Sequence, residues 1–457
     1  MNKVKQFDYW EHLANQITLD SFSNPEKITN RFFGSNPNLH CYKSTQLKEY
    51  IKIEVGYYIG VDWLIEGDCS IVVAPKLDTR IEVIKGELAE NGDEEIDVDE
   101  GLKNNHDNGA NVAIDYIAML NQCISVDFLY KEIDKLIYIN WNAKEVPINQ
   151  EHDWLSPLLI VQFLNTLKRL VAKGLKKSYY KVSQNLNCKI KGKVLIGQNL
   201  KQNVFKNKFT TTLCQFEEFG IDSFENRLLK KALQFSHAYI DNHKKVFNDS
   251  IDHFENLLNY CRPAFDAVSN EVNILEVKDH IPNPFFAEYK DAIKQAKLIL
   301  KRYAYSITNT NKQQLTTPPY WIDMPKLFEL YTYNFLRNRF PNKNDLNYHT
   351  KTYGNELDFL VNSGSVKMVI DAKYKPLYIY GKDHNDIRQV SGYARLDKIF
   401  KALGLEEDRL IDCLIIYPDI QNGYDLESFK VGELTSPENT VKGYRRVYKI
   451  GIKLPVK

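Results

Sequence analysis

The 457-residue chain lacks the patterns that mark most metal, redox and nucleotide proteins. Its seven cysteines (Cys41, Cys69, Cys123, Cys188, Cys214, Cys261 and Cys413) form no CxxC pair and are odd in number. That argues against a zinc knuckle and a closed disulfide framework, and for a reducing cytosol. The ten histidines include no HExxH. There is no GxxxxGK[ST] loop, so nucleotide hydrolysis is not expected of this chain. Neither sign of charge dominates, with 60 basic and 59 acidic residues, which excludes a polyanion or polycation. The opening Met1-Asn-Lys-Val-Lys-Gln-Phe-Asp has no apolar signal core, and no apolar run approaches a membrane span. The expectation is a cytoplasmic protein without a membrane anchor.

The length suits two or three domains, each able to bury a core. Three consecutive regions are expected: a β-rich module over 1–153, a basic and mainly helical stalk over 154–312, and a mixed domain over 313–457. In the first, Ile51–Val55, Tyr57–Ile65 and Cys69–Lys76 read as short strands with Gly turns. Residues 87–100 hold eight acids and no Lys or Arg, which reads as a solvated loop, with a functional acidic patch as the alternative. Ala113–Gln122 has helical spacing, and Lys135–Trp141 reads as a strand. From Trp154 to Phe216 there are 12 Lys/Arg and no Asp or Glu. Lys176, Lys177, Lys181, Lys189, Lys191 and Lys193, interleaved with Tyr179 and Tyr180, could track a DNA backbone, face an acidic protein, or merely solubilise the surface. An amphipathic helix is expected over Leu158–Leu175. A second opens at the capping-box-like Asp222-Ser-Phe-Glu225, with Asp222 in the cap position. Helical patterns continue through His253–Cys261 and Phe286–Tyr303. Thr308 to Pro319 is polar and ends in two prolines, a linker signal.

The stretch 356–373 carries the chemistry. Apolar runs Leu357–Val361 and Val366–Ile370 flank Asn362-Ser363-Gly364-Ser365, a hairpin signal. With Val361 opposite Val366, Asp358 faces Val369. Asp358 and Asp371 then become diagonal neighbours roughly 7 Å apart, with Lys373 on their face. Two carboxylates suit a hard divalent cation, Mg2+ or Mn2+ in its place. A lysine beside them could orient or deprotonate water, or offset developing negative charge. The spacing resembles the PD-(D/E)xK nuclease signature, with Leu357 where the name has proline.

Two flanking stretches extend the pattern. Asp323-Met-Pro opens a helix on which Glu329 sits among apolar neighbours and needs a partner, either a metal-held water or Lys373. Downstream, Gln389 and Tyr393 lie four apart on one helical face, and resemble the QxxxY element of one nuclease subgroup. Leu410–Tyr417 and Val447–Leu454 supply further strands.

Over most of its length the sequence resembles the McrC family, the nuclease subunits of McrBC-type restriction systems. The likeness runs through Val72-Val-Ala-Pro-Lys76, Met119-Leu120, Lys173-Gly-Leu-Lys-Lys-Ser-Tyr and Lys191-Gly-Lys193. It continues in Phe216-Glu-Glu-Phe, Glu225-Asn-Arg-Leu-Leu-Lys, Leu327-Phe-Glu-Leu-Tyr and Ile370-Asp-Ala-Lys-Tyr-Lys375, and ends with Gln389 and Tyr393. The resemblance implies a multidomain α+β protein with a β-rich N-terminal module, a helical middle and a C-terminal α/β restriction-endonuclease-like domain. It implies Mg2+-dependent cleavage of double-stranded DNA, with Asp358, Asp371 and the Ala372 carbonyl on the metal. Lys373, Glu329, Gln389 and Tyr393 complete the expected site. It further implies a McrB-like AAA+ ring that hydrolyses GTP and meets the N-terminal part, and self-association near the nuclease region. Two other readings stand beside it: a non-catalytic activator of an AAA+ motor, and a stand-alone repair nuclease of the same core.

Overall fold

The protein is described by a computed structural model over residues 4–11, 13–78, 111–124, 132, 135–140, 142–148, 155–247, 251–271, 287–308, 315–352, 354–364, 366–374, 384–405, 409–420, 422–425 and 429–456. The acidic stretch 87–100, Trp154 and Lys375 lie outside these residues, as does the 309–314 half of the expected linker. The fold is mixed α and β, in two compact units: residues 1–154 with 316–457, and residues 155–315. Three consecutive regions were expected along the chain. The first and last instead form one body.

The reason is a strand exchange. The chain runs through β1 (Lys5–Trp10), β2 (Tyr58–Ile65), β3 (Cys69–Ala74) and β4 (Ile137–Ile139) before reaching β5 (Tyr320–Asp323). Their order in the sheet is β1-β3-β2-β5-β4, so a strand from the last third of the chain sits between two from the first third. All eight residues of β2 are buried. That explains why its sequence is apolar without alternation. Trp321 on β5 donates its indole N–H to Asp62 Oδ2 at 2.8 Å, and Arg31 Nε lies 2.9 Å from the same oxygen. A smaller sheet of Ala14–Thr18, Tyr50–Val55, His40–Gln46 and Arg31–Phe32 shares this core.

Beyond β5 the helix α1 (Met324–Arg337) starts as expected. The Asp323 carboxylate accepts the Lys326 amide at 2.9 Å and Pro325 occupies the first turn. A second sheet follows, built from β6 (Leu346–Thr352), β7 (Asn355–Ser363), β8 (Val366–Ala372), β9 (Asp412–Pro418) and β10 (Val447–Ile452), in that order. The pairs β6–β7 and β7–β8 are antiparallel; β8–β9 and β9–β10 are parallel. Helix α2 (His384–Tyr393) covers the face that carries Leu360 and Val369, through Ile387 and Val390.

The second unit holds helices Leu155–Lys173, Phe224–Asn242, Ile251–Cys261 and Ala287–Thr308. Leu155–Lys173 is long and apolar enough to cross a membrane, contrary to the expectation that no such run exists. It is buried along most of its length, with Ala287–Thr308 and Ile251–Cys261 packed on it, as in a core helix. Ser223, not Asp222, caps Phe224–Asn242 and accepts the Asn226 amide at 3.3 Å. Asp222 is taken by Arg227, whose guanidinium nitrogens donate at 2.8 and 2.6 Å. The unit is also less helical than expected. Ser178–Asn187 and Thr211–Gly220 form a ten-step antiparallel ribbon, with Lys193–Val194 added to its second strand.

Candidate active site

The β7–β8 hairpin exists, but its register differs from the expected one by two residues. Val361 pairs with Met368, Leu360 with Val369 and Phe359 with Ile370. The strands continue to a Ser363–Val366 pair, and Gly364 takes a left-handed φ of +52°, which tightens the turn. A shift of two preserves the pleat, so every side chain keeps its expected face. The next step of the ladder brings Asp358 level with Asp371, directly across rather than diagonal to it. Asp358 Oδ2 accepts the Ala372 amide at 2.8 Å.

Lys373 joins them from the end of β8. Its Nζ lies 2.8 Å from Asp371 Oδ2 and 4.0 Å from Asp386 Oδ1. It also donates to Gln389 Oε1 at 2.9 Å, and Gln389 Nε2 donates to Tyr393 Oη at 2.7 Å. One turn of α2 therefore lays Gln389 and Tyr393 in a line that ends on the lysine. Asp358, Asp371, Lys373, Gln389 and Tyr393 are brought together.

The electrostatics are those of a site short of positive charge. Burial, then repulsion from Asp371 and Glu329, holds the Asp358 carboxyl well above the usual range. Burial also raises Asp371, with Asp386 adding to it, against the pull of Lys373. Burial would lower Lys373, but Asp371, Asp386 and Asp358 outweigh it and hold the ammonium charged. A divalent cation between the carboxyls would relieve both, and oxygen donors are what a hard cation prefers. Asp358, Asp371 and the Ala372 carbonyl fit that chemistry. Among the described residues, no three His, Cys, Asp or Glu side chains form a ready-made cage. Water or substrate oxygens would fill the remaining positions.

Glu329 departs from its expected role. Its carboxylate is hydrogen-bonded to His349 Nε2 and lies 3.1 Å from Lys326 Nζ. Burial would raise it, but these partners hold it below the ordinary glutamate range. His349 Nδ1 meets Glu356 Oε1 at 3.0 Å, and Lys326 also donates to Tyr348 Oη at 2.7 Å. His349 stands at the level of Asp358 on the neighbouring strand. The β6–β7 ladder pairs Tyr348 with Phe359 and Thr350 with Leu357 but is interrupted between them, where His349 has φ +53°. Histidine is among the residues that tolerate this conformation, and such outliers cluster at functional sites.

Sequence reading missed Lys326, His349 and Asp386. Lys326 left a signal, because Lys at i and Glu at i+3 share a helix face. His349 left none, because its position depends on strand pairing.

The basic candidates of the second unit lie on or beside its ribbon, and the acid-free stretch finds its acids on the second ribbon strand and at the start of the helix Phe224–Asn242. Lys176 pairs with Glu225 at 3.1 Å and Lys191 with Glu218 at 3.1 Å. Lys181 stands opposite Glu217 and Lys193 opposite Gln215. Lys177 and Lys189 are exposed. The same arm exposes Tyr179 (72%), Phe205 (76%), Phe209 (73%) and Phe219 (61%).

Comparison with known proteins gives a matching family and similar solved assemblies. A family described as McrBC 5-methylcytosine restriction system component matches residues 129–402. Among curated proteins none matches the chain. One similar solved structure is the refined half-complex from a tetradecameric assembly of Thermococcus gammatolerans McrB AAA+ hexamers with bound McrC. It is 14% identical, with a TM-score of 0.39, and the match covers 98% of this chain and 94% of that one. Another is the cryo-EM structure of the Thermococcus gammatolerans McrBC complex, 12% identical with a TM-score of 0.26. That match covers 85% of this chain and 100% of that one.

Proposed function

This chain belongs to the McrBC 5-methylcytosine restriction system component family, and from that premise we propose that it is the system's Mg2+-dependent DNA endonuclease subunit. The observation that carries the proposal is the convergence of Asp358, Asp371 and Lys373 at one end of the β7–β8 hairpin. Asp358, Asp371 and the Ala372 carbonyl hold the metal, with Mn2+ able to replace Mg2+. The ion, when bound, supplies Lewis-acid stabilisation of the phosphate oxygens. Lys373, kept charged by its acidic neighbours, offsets negative charge that grows on the scissile phosphate and orients the attacking water. Gln389 fixes the ammonium of Lys373, and Tyr393 fixes Gln389. Glu329 acts at one remove: held by His349 and Lys326, it adds negative charge near Asp358 and strengthens that carboxyl's demand for a cation.

The partner is a McrB-like AAA+ ring, which hydrolyses GTP and reads the modified DNA. The N-terminal part meets it, and self-association near the nuclease sheet supplies a second site for the other strand. The ribbon of the second unit also suits a protein partner better than a DNA backbone. Two of the lysines beside it, Lys176 and Lys191, already have carboxylate partners, while Tyr179 and Phe219 on it are exposed.

The test is cleavage of a methylated plasmid by the chain with Mg2+, GTP and the ring. Cutting that disappears in Asp371→Ala, with GTPase stimulation kept, supports the proposal. GTPase stimulation without any cutting would make the chain an activator only. Full-rate cutting without the ring would make it a stand-alone nuclease.

A further inference from the structure

Lys373 is the last residue of the hairpin to carry chemistry, and the residue after it is anchored far away in sequence. The Tyr374 hydroxyl donates to Glu11 Oε1 at 2.8 Å, and both residues are buried. Glu11 follows directly on β1, and its amide donates to the Ala74 carbonyl at 3.1 Å, which extends the β1–β3 pairing. The Tyr374 ring packs edge-on against Tyr57 at 5.9 Å between centroids and lies tilted against Phe328 at 5.7 Å. Tyr57 is itself tied to the start of α1, because its carbonyl accepts the Met324 amide at 3.2 Å. Phe328 is the neighbour of Glu329 on that helix. The ring is thus held by the first sheet and by α1, while the residue before it reaches into the candidate active site.

We propose that Glu11 and Tyr374 are the positioning pair that fixes the direction of Lys373, so that the first sheet sets the geometry of the carboxylate–lysine cluster. The inference rests on the nuclease reading given above. Its physical basis is the alternation of an extended chain, in which adjacent side chains point to opposite sides. Locking the Tyr374 ring on one side therefore fixes which way Lys373 points on the other. The main chain at Lys373 has one ladder bond, from its amide to the Ile416 carbonyl at 2.8 Å. That bond fixes the position of the backbone; the anchored ring fixes its rotation. Lys373 also has two acidic neighbours, Asp371 at 2.8 Å and Asp386 at 4.0 Å. A small rotation would change which of them it serves. A buried hydroxyl–carboxylate bond is a strong anchor, because a hydrogen bond to an ionised acceptor is shorter and stronger than a neutral one.

Three variants separate positioning from mere stability. Tyr374→Phe keeps the ring and removes the donor. Glu11→Ala removes the acceptor. Glu11→Gln keeps an acceptor oxygen and is the rescue variant. Two readouts are used on the full chain: kcat and KM for plasmid cleavage with the ring and Mg2+, and the rate at which an amine-selective reagent labels Lys373, followed by peptide mass spectrometry. The expected result is a fall in kcat of about 10- to 100-fold for Tyr374→Phe and Glu11→Ala, the scale of a small misplacement at a reacting centre. KM for DNA and GTPase stimulation should stay near wild type, Lys373 labelling should rise several-fold, and Glu11→Gln should restore both readouts. If Glu11→Ala does not fold, Tyr374→Phe decides alone. Unchanged labelling in a folded variant overturns the proposal, as does faster labelling with an unchanged kcat. If the wild-type chain does not cut at all, the nuclease reading fails, and labelling alone still decides whether the pair fixes Lys373.

Discussion

The α-carbon of Gly60 lies so close to Tyr320 that a Cβ at Gly60 would stand 2.1 Å from the Tyr320 carbonyl oxygen. This contact is where β2, from the first third of the chain, pairs with β5, from the last. Gly60→Ala must push the two strands apart, and α1 begins directly after β5. The expected cost is about 3 kcal/mol or more, at the upper end for overpacking. Urea unfolding measures it, and a midpoint equal to wild type would refute the close approach.

Asp358→Asn removes one of two facing buried carboxyls. Cleavage should fall below detection, yet the protein should become more stable, because like-charge repulsion at a functional site is relieved. Mg2+ should raise the melting temperature of the wild-type chain and leave that of the variant unmoved. A variant that melts earlier and still responds to Mg2+ would contradict the assignment of Asp358.

Gln389 holds Lys373 through one hydrogen bond at 2.9 Å. Lys373→Ala should abolish cutting and spare GTPase stimulation. Gln389→Ala should slow cutting by about 10-fold, since the lysine stays but loses its restraint. Equal losses in the two variants would mean that Gln389 touches substrate itself.

His349 bridges Glu329 and Glu356 at the level of Asp358. His349→Ala takes away one of the groups that hold the Glu329 charge and keeps Lys326 at 3.1 Å. About 1–3 kcal/mol of stability should be lost, as for a buried group deprived of its partner. Cutting should weaken without vanishing. Calorimetry and plasmid cleavage together check this, and a wild-type result in both would remove His349 from the site.

Asp222 gives a pH dependence to the second unit. Burial would raise its carboxyl, but Arg227, the Ser269 amide and Lys230 outweigh that and hold it below the usual range. A depressed folded-state carboxyl contributes stability that is present above its unfolded pKa and lost as pH falls through the folded one. Acid unfolding below about pH 4 should therefore be shallower in Asp222→Asn than in wild type. Parallel acid curves would refute it.

Much of the candidate site was legible from local pattern. Strand alternation put Asp358, Asp371 and Lys373 on one face, and a helical spacing of four put Gln389 beside Tyr393. Both follow from backbone geometry and survived a two-residue error in register, because the pleat repeats every two residues. The Asp323 cap was legible for the same reason: its hydrogen bond closes within three residues.

What the sequence could not show depends on contacts between distant segments. Nothing local says that Tyr320–Asp323 enters the sheet of Tyr58–Ile65, that Tyr374 is tied to Glu11, or that Glu329 spends its charge on His349. The acid-free run of lysines looked unpartnered only because Glu217, Glu218 and Glu225 come just after it and fold back onto it. Periodicity fixes which side of an element a residue faces. Which element lies opposite is decided by the burial of apolar surface across the whole chain, and that becomes visible only in the tertiary structure.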